Sequence, residues 1–221
     1  MIIFWRQLGC RLFGVRIMMK KSLLALSALL LSCSVSAAKY NEGEHYQLLG
    51  AASFDAPNQV VKVYSVNCPF CYKYDKAVIP GMVKNLPKGV TFDDYHITTK
   101  PPFGMEKALV LAYAQTQSEQ AFKTVKMALY KKYHDDKARF ASADEVIDFG
   151  LKAAGLDRAG FEAAKNSPEV QQLLSKWDRG VEVAKIQGIP ALVVNGKYLI
   201  NTKSIRSMQM LDELVAELAA K

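Results

Sequence analysis

From Val60 to Val66 the chain is a run of β-branched and aromatic positions broken by Lys62 and Ser65, a pattern that predicts a central strand. Helical spacing takes over at Cys68 and continues to about Asn85 through Tyr72, Val78, Ile79 and Met82, with Pro80-Gly81 placed to kink it. Pro87-Lys88-Gly89 is a turn signal, and Val90 to Ile97 reads as the next strand. From Gly104 to about Gln187 apolar residues recur at three- and four-residue intervals. They predict helices over 105–114, 119–133, 143–153, 158–165 and 169–187, separated by Ser118, Ser142, Gly155 with Asp157, and Ser167-Pro168. Gly188-Ile189-Pro190 ends that block. Two short runs, Ala191 to Val194 and Lys197 to Ile200, flank Asn195-Gly196, a hairpin signal because both turn residues tolerate positive φ. An amphipathic helix from about Ser204 to Ala219 closes the chain, and 39–58 is an entry segment with one short strand. The order predicts an α/β layer carrying a helical insertion, without internal repeats or low-complexity tracts.

Ahead of this body lies a different composition. Lys20-Lys21, an apolar run from Leu23 to Leu31 and the small-residue series Ser32 to Ala38 have the three parts of a secretory signal peptide, with cleavage after Ala37 or Ala38. The run is short of the ~20 residues that span a bilayer, so export is favoured over a retained anchor. Leu30-Leu31-Ser32-Cys33 offers a lipoprotein box as a minor alternative, and Met18 or Met19 is an alternative start to Met1.

Processing changes the charge. The formal +8 includes Arg6, Arg11, Arg16, Lys20 and Lys21, whose removal leaves 24 bases against 21 acids, or +3. That excess is too small to argue for a nucleic-acid partner. Of four cysteines, Cys10 and Cys33 lie in the leader, so the exported body keeps Cys68 and Cys71.

A strand that feeds into Cys68 and then a helix puts that sulfur at a helix N-terminus, where unpaired N–H groups and the macrodipole favour a thiolate. Cys71 lies one turn on, on the same face, and Pro69 suits the first turn. Zinc needs about four ligands and finds only His45, His96 and His134, widely spread, beside the two cysteines. A purely structural disulfide is disfavoured because so short a loop removes little unfolded-state entropy. Ile189-Pro190 is the second informative site: a proline at a strand start marks either an edge or a cis turn. Tyr72, Tyr74, Tyr113 and Phe122 are expected in the core, and nothing marks a bound cofactor or a metal.

Val66-Asn67-Cys68-Pro69-Phe70-Cys71-Tyr72-Lys73-Tyr74, the helical block, Gly188-Ile189-Pro190 and Val194-Asn195-Gly196-Lys197-Tyr198 together resemble the DsbA family of periplasmic thiol:disulfide oxidoreductases over about 40–221. The Cys-Pro-Phe-Cys motif and basic balance are most similar to its specialised DsbL branch. The resemblance implies a thioredoxin fold with an inserted all-helical domain. Residues 1–38 would be the extension and signal peptide, 39–103 the first part of that fold with the Cys-x-x-Cys, 104–175 the insertion, and 176–221 the second part with a cis proline and the hairpin. It implies a monomeric dithiol oxidase acting on exported proteins, arylsulfate sulfotransferase among them, and recharged by a membrane quinone reductase of the DsbB/DsbI type. Cys68 would be the exposed nucleophile that forms the mixed disulfide and Cys71 the resolving partner. Pro69 and Phe70 would tune the pair, while Ile189 and Pro190 would form the client groove. A disulfide reductase or isomerase, or a thioredoxin-like client-binding chaperone, are the competing readings.

Two departures from the family pattern stand out. Phe70 replaces a histidine that commonly helps hold the thiolate, and Lys62 replaces a buried glutamate. A cation there favours thiolate over thiol, so Lys62 is expected to make the disulfide more oxidising unless its side chain snorkels to solvent.

Overall fold

The computed structural model describes residues 39–221; the leader, with its expected signal peptide, Cys10 and Cys33, lies outside the described residues. Five strands form one mixed sheet in the order β1-β5-β4-β2-β3: β1 (Tyr46–Leu48), β2 (Gln59–Tyr64), β3 (Thr91–His96), β4 (Ala191–Val194) and β5 (Tyr198–Ile200). β2 runs parallel to β3 and antiparallel to β4, so the strand that leads to Cys68 is an interior strand of the sheet. Its alternation sorts two cores. Val61 and Val63 join Ala191 and Val193 on the face covered by the helical block, whereas Val60 joins Leu192 and Val194 on the other.

The helices are α1 (Pro69–Ala77), α2 (Ile79–Lys84), α3 (Gly104–Gln117), α4 (Glu119–Tyr130), α5 (Ala143–Ala153), α6 (Arg158–Ala164), α7 (Pro168–Gln187) and α8 (Met208–Ala219). Ser118, Ser142, Asp157 and Ser167 each accept the backbone N–H of the third residue of the helix they open, as their spacing predicts. This thioredoxin-like α/β fold with a helical block is the expected one. α7 runs unbroken across residues 175 and 176 and packs on β2, β3 and α3, so one helix serves both the block and the sheet. At Gly180 a Cβ would stand 2.9 Å from Val63 Cγ1, which is how closely α7 lies on the sheet.

Three boundaries differ from the pattern. The helix expected from Cys68 to Asn85 breaks at Val78, upstream of Pro80, which instead occupies the first turn of α2. A proline ring collides with the carbonyl four residues earlier, so the bend opens before it. The helix expected to reach Tyr133 leaves α-geometry at Tyr130 and continues as a π-turn, Lys131–Asp135. The last helix begins at Met208, not Ser204, because Ser207 caps it by accepting the Met210 N–H.

Candidate active site

Cys68 is the residue that caps α1. Its backbone is extended, and its Sγ accepts the Cys71 N–H at 3.3 Å, the role that serine or aspartate plays at the other helix starts. Pro69 fills the first helical position, where no N–H is needed. Both cysteines are free thiols and buried; Cys68, expected to be exposed, is not, because the Ile189 turn lies against its sulfur. Cys68 is held low, to about 6, by the Cys71 side chain, which outweighs the cost of burial together with the Cys71 and Phe70 backbone N–H groups and the charge of Lys100. Cys71 is pushed far up, first by burial and then by the Cys68 sulfur beside it. One thiol is thus poised as an anion and its neighbour as a proton carrier.

Opposite the cysteines lies the turn that opens β4. Ile189-Pro190 is a cis peptide, and Cys68 Sγ stands 3.6 Å from the Ile189 carbonyl oxygen. Both residues are half-buried, whereas the Phe70 ring is 62% exposed with Lys73 Nζ 5.4 Å from its centroid. Cys68, Cys71, Pro69, Phe70, Ile189 and Pro190 therefore come together around one sulfur.

Lys62 does not snorkel. Its side chain is fully buried, with Nζ donating to both oxygens of Asp75 at 2.6 and 2.7 Å and lying 2.8 Å from Asp94 Oδ1. Lys126 completes a quartet, 2.5 Å from Asp94 and 3.2 Å from Asp75. β2-to-β3 register puts Lys62 directly beside Asp94, α1 supplies Asp75 one turn after Cys71, and α4 supplies Lys126. Two cations and two carboxylates cancel. The field of Lys62 is felt at Cys71, where it favours the thiolate, and is not among the leading influences on Cys68.

The loop before Cys68 is held by side chains that the sequence pattern did not single out for this role. β2 ends at Tyr64, short of the expected Val66, because the Val66 N–H donates to His96 Nε2 at 3.2 Å and its carbonyl accepts from His134 Nε2 at 2.8 Å. Burial holds His96 neutral, with its pKa lowered to about 3. The π-turn is what brings His134 in, stacked on Tyr72, whose hydroxyl donates to Asp135 at 2.7 Å. Tyr72, Tyr113 and Phe122 are core residues as expected, and Tyr74 is partly buried. The signals for Asp75, Lys126 and the histidines were polar residues on otherwise apolar faces, such as Lys126 between Phe122, Val125 and Leu129.

A reactive cysteine at a helix N-terminus, a buried partner one turn on and a cis proline facing them define a thioredoxin-fold thiol:disulfide oxidoreductase. The family model described as "Thioredoxin" matches residues 47–213. "Thiol:disulfide interchange protein DsbL" of Lelliottia amnigena is 42% identical over 91% of this chain and 96% of its own, and "Thiol:disulfide interchange protein DsbA" of Salmonella typhi is 32% identical over 87% and 91%. The crystal structure of Salmonella enterica serovar Typhimurium DsbL superposes with a TM-score of 0.80 at 42% identity, over 84% of this chain and all of that one. The chain belongs to the DsbA family of thiol:disulfide interchange proteins, and its similarity is stronger to the relatives named DsbL than to those named DsbA.

Proposed function

We propose that this oxidoreductase is a periplasmic dithiol oxidase: it donates the Cys68–Cys71 disulfide to exported proteins. The observation that carries the reading is the asymmetry of the pair, since a stabilised Cys68 thiolate favours the reduced form and makes the disulfide a strong oxidant. A client thiolate attacks Cys68 Sγ, forming a client–Cys68 disulfide and expelling Cys71 as a thiolate, which takes a proton. A second client thiolate then attacks the client sulfur of that bond, closing the client's own disulfide and releasing Cys68 as a thiolate. Two electrons pass from the client to the protein.

Ile189 would pair with an extended client strand through its backbone, and Pro190 would keep that edge open beside Cys68. Phe70 would supply exposed apolar surface, Pro69 would fix the turn between the sulfurs, and Lys62 would tune the pair through Cys71. A membrane quinone reductase of the DsbB/DsbI type would withdraw the two electrons, and an arylsulfate sulfotransferase is a fitting client. The leader would take the protein to the periplasm, where it would work as a monomer.

Stoichiometric mixing of the oxidised protein with a reduced two-cysteine peptide tests the reading. Rapid appearance of the peptide disulfide with loss of one protein disulfide is the expected result, and Cys68→Ala abolishes it. Client refolding that persists in Cys68→Ala would favour the chaperone reading instead.

A further inference from the structure

α3 carries a lysine where its apolar face turns inward. Lys107 is 1% exposed, lies among Ala108, Leu111 and Ala114 on that helix, and has no carboxylate in ion-pair contact among the described residues. Burying an ammonium without a counter-charge is costly, and burial pushes its pKa down to about 8. Methionine would fill the space without that cost, so the donors of the ammonium are what the site uses.

Those donors go to one place. Lys107 Nζ donates to Asn67 Oδ1 at 2.6 Å and to the Pro102 carbonyl at 2.9 Å, with the Tyr133 ring centroid 5.1 Å away. Asn67 spends its own two side-chain N–H groups on the Lys100 and Pro102 carbonyls, at 3.1 and 3.0 Å. Two of the three Lys107 N–H donors and both Asn67 side-chain N–H groups therefore serve the linkage between the 100–102 loop and the residue immediately before Cys68. The charge of Lys100, at the exposed start of that loop, is the weakest of the influences that lower the Cys68 thiol.

We propose that Lys107 is a positioning residue for disulfide exchange, acting through Asn67 to hold the chain that leads into Cys68 against the 100–102 loop. It touches neither sulfur; what it sets is the position of the residue from which the reactive thiolate's backbone continues. The inference rests on Cys68 being the reactive thiol, and it holds whichever way electrons flow in the cell.

Titration of reduced protein by thiolate absorbance near 240 nm is the test, made on the parent, Lys107→Met, Asn67→Ala and the double variant. The midpoint of Cys68 rises in both single variants, by about one pH unit, a tenfold change in the thiolate equilibrium. The double variant rises no further, because both changes cut one linkage. Asn67→Ala keeps the ammonium, so an unchanged midpoint in that variant overturns the proposal and leaves Lys107 acting by charge or by stability alone. Should Lys107→Met fail to fold, the Asn67→Ala result decides on its own. A parent titration step that survives in Cys68→Ala would instead remove Cys68 as the reactive thiol.

Discussion

Removing the Lys62 ammonium tests the buried quartet. In Lys62→Met the side chain remains apolar and similar in length, but Asp75 and Asp94 are left sharing Lys126, one negative charge in excess within a region where Lys62 was fully buried. Breaking a buried ion pair from one side costs about 3–5 kcal/mol. A body of this size loses roughly 2–4 °C of melting temperature per kcal/mol, so the midpoint should fall by about 6 to 20 °C. Thermal melts of the oxidised protein followed by circular dichroism measure it. Lys62→Met with Asp75→Asn restores neutrality around the Lys126–Asp94 pair, and its cost should fall short of the sum of the singles by at least about 1 kcal/mol. A loss below about 1 kcal/mol in Lys62→Met, or strict additivity in the double variant, would refute the view that these four groups are one electrostatic unit. The pH dependence has a fixed sign. Burial alone would raise the Asp94 pKa, but Lys62 and Lys126 outweigh it and hold the carboxyl below its ordinary value. Its contribution to stability is therefore present above the unfolded carboxylate pKa, about 3.9, and lost as the pH falls through the lower folded value.

Four further outcomes follow from the geometry. Reduced protein should show one thiolate step near pH 6, from Cys68, with Cys71 remaining a thiol through pH 9; iodoacetamide labelling with peptide mapping assigns the step. Because the folded Cys68 pKa is depressed, the reduced form gains stability from it above the unfolded thiol pKa, and that gain is lost as pH falls through about 6, as urea titrations of the reduced form would read. Phe70→His places a titratable cation at an exposed position two residues from Cys68 and should lower the Cys68 midpoint further, measured by absorbance below the histidine pKa. Gly180→Ala pushes a methyl to 2.9 Å from Val63 Cγ1 and should destabilise by about 1–3 kcal/mol in urea, with the Cys68 midpoint unmoved.

The central strand, the cysteine at the helix N-terminus and the Asn195-Gly196 hairpin were legible in the sequence, because each is a local pattern with a local cause; the Ile189-Pro190 step read as an edge or a cis turn, and only the family resemblance favoured cis. Asn195 and Gly196 both take positive φ, at 54° and 68°, as an Asn-Gly hairpin turn demands. What was not legible is whatever depends on two distant stretches meeting. Lys62 read equally as a tuning cation or a solvated one, and only the register of β2 on β3 together with α1 and α4 shows it neutralised by Asp75 and Asp94. His134 and Lys107 looked like residues of a helical block; the π-turn and the inward face of α3 make them supports of the Cys68 loop, 68 and 40 residues from the groups they hold. Even the strand end was misplaced for this reason, since histidine side chains take the Val66 hydrogen bonds that a ladder would have used.

The reduction potential of the Cys68–Cys71 pair, measured by equilibrating residues 39–221 against glutathione buffers, bears most directly on the oxidase function. A stabilised Cys68 thiolate beside a buried Cys71 requires a strongly oxidising value, toward the roughly −120 mV of the most oxidising relatives; a value near about −270 mV, that of thioredoxin, would contradict it and make the protein a reductase.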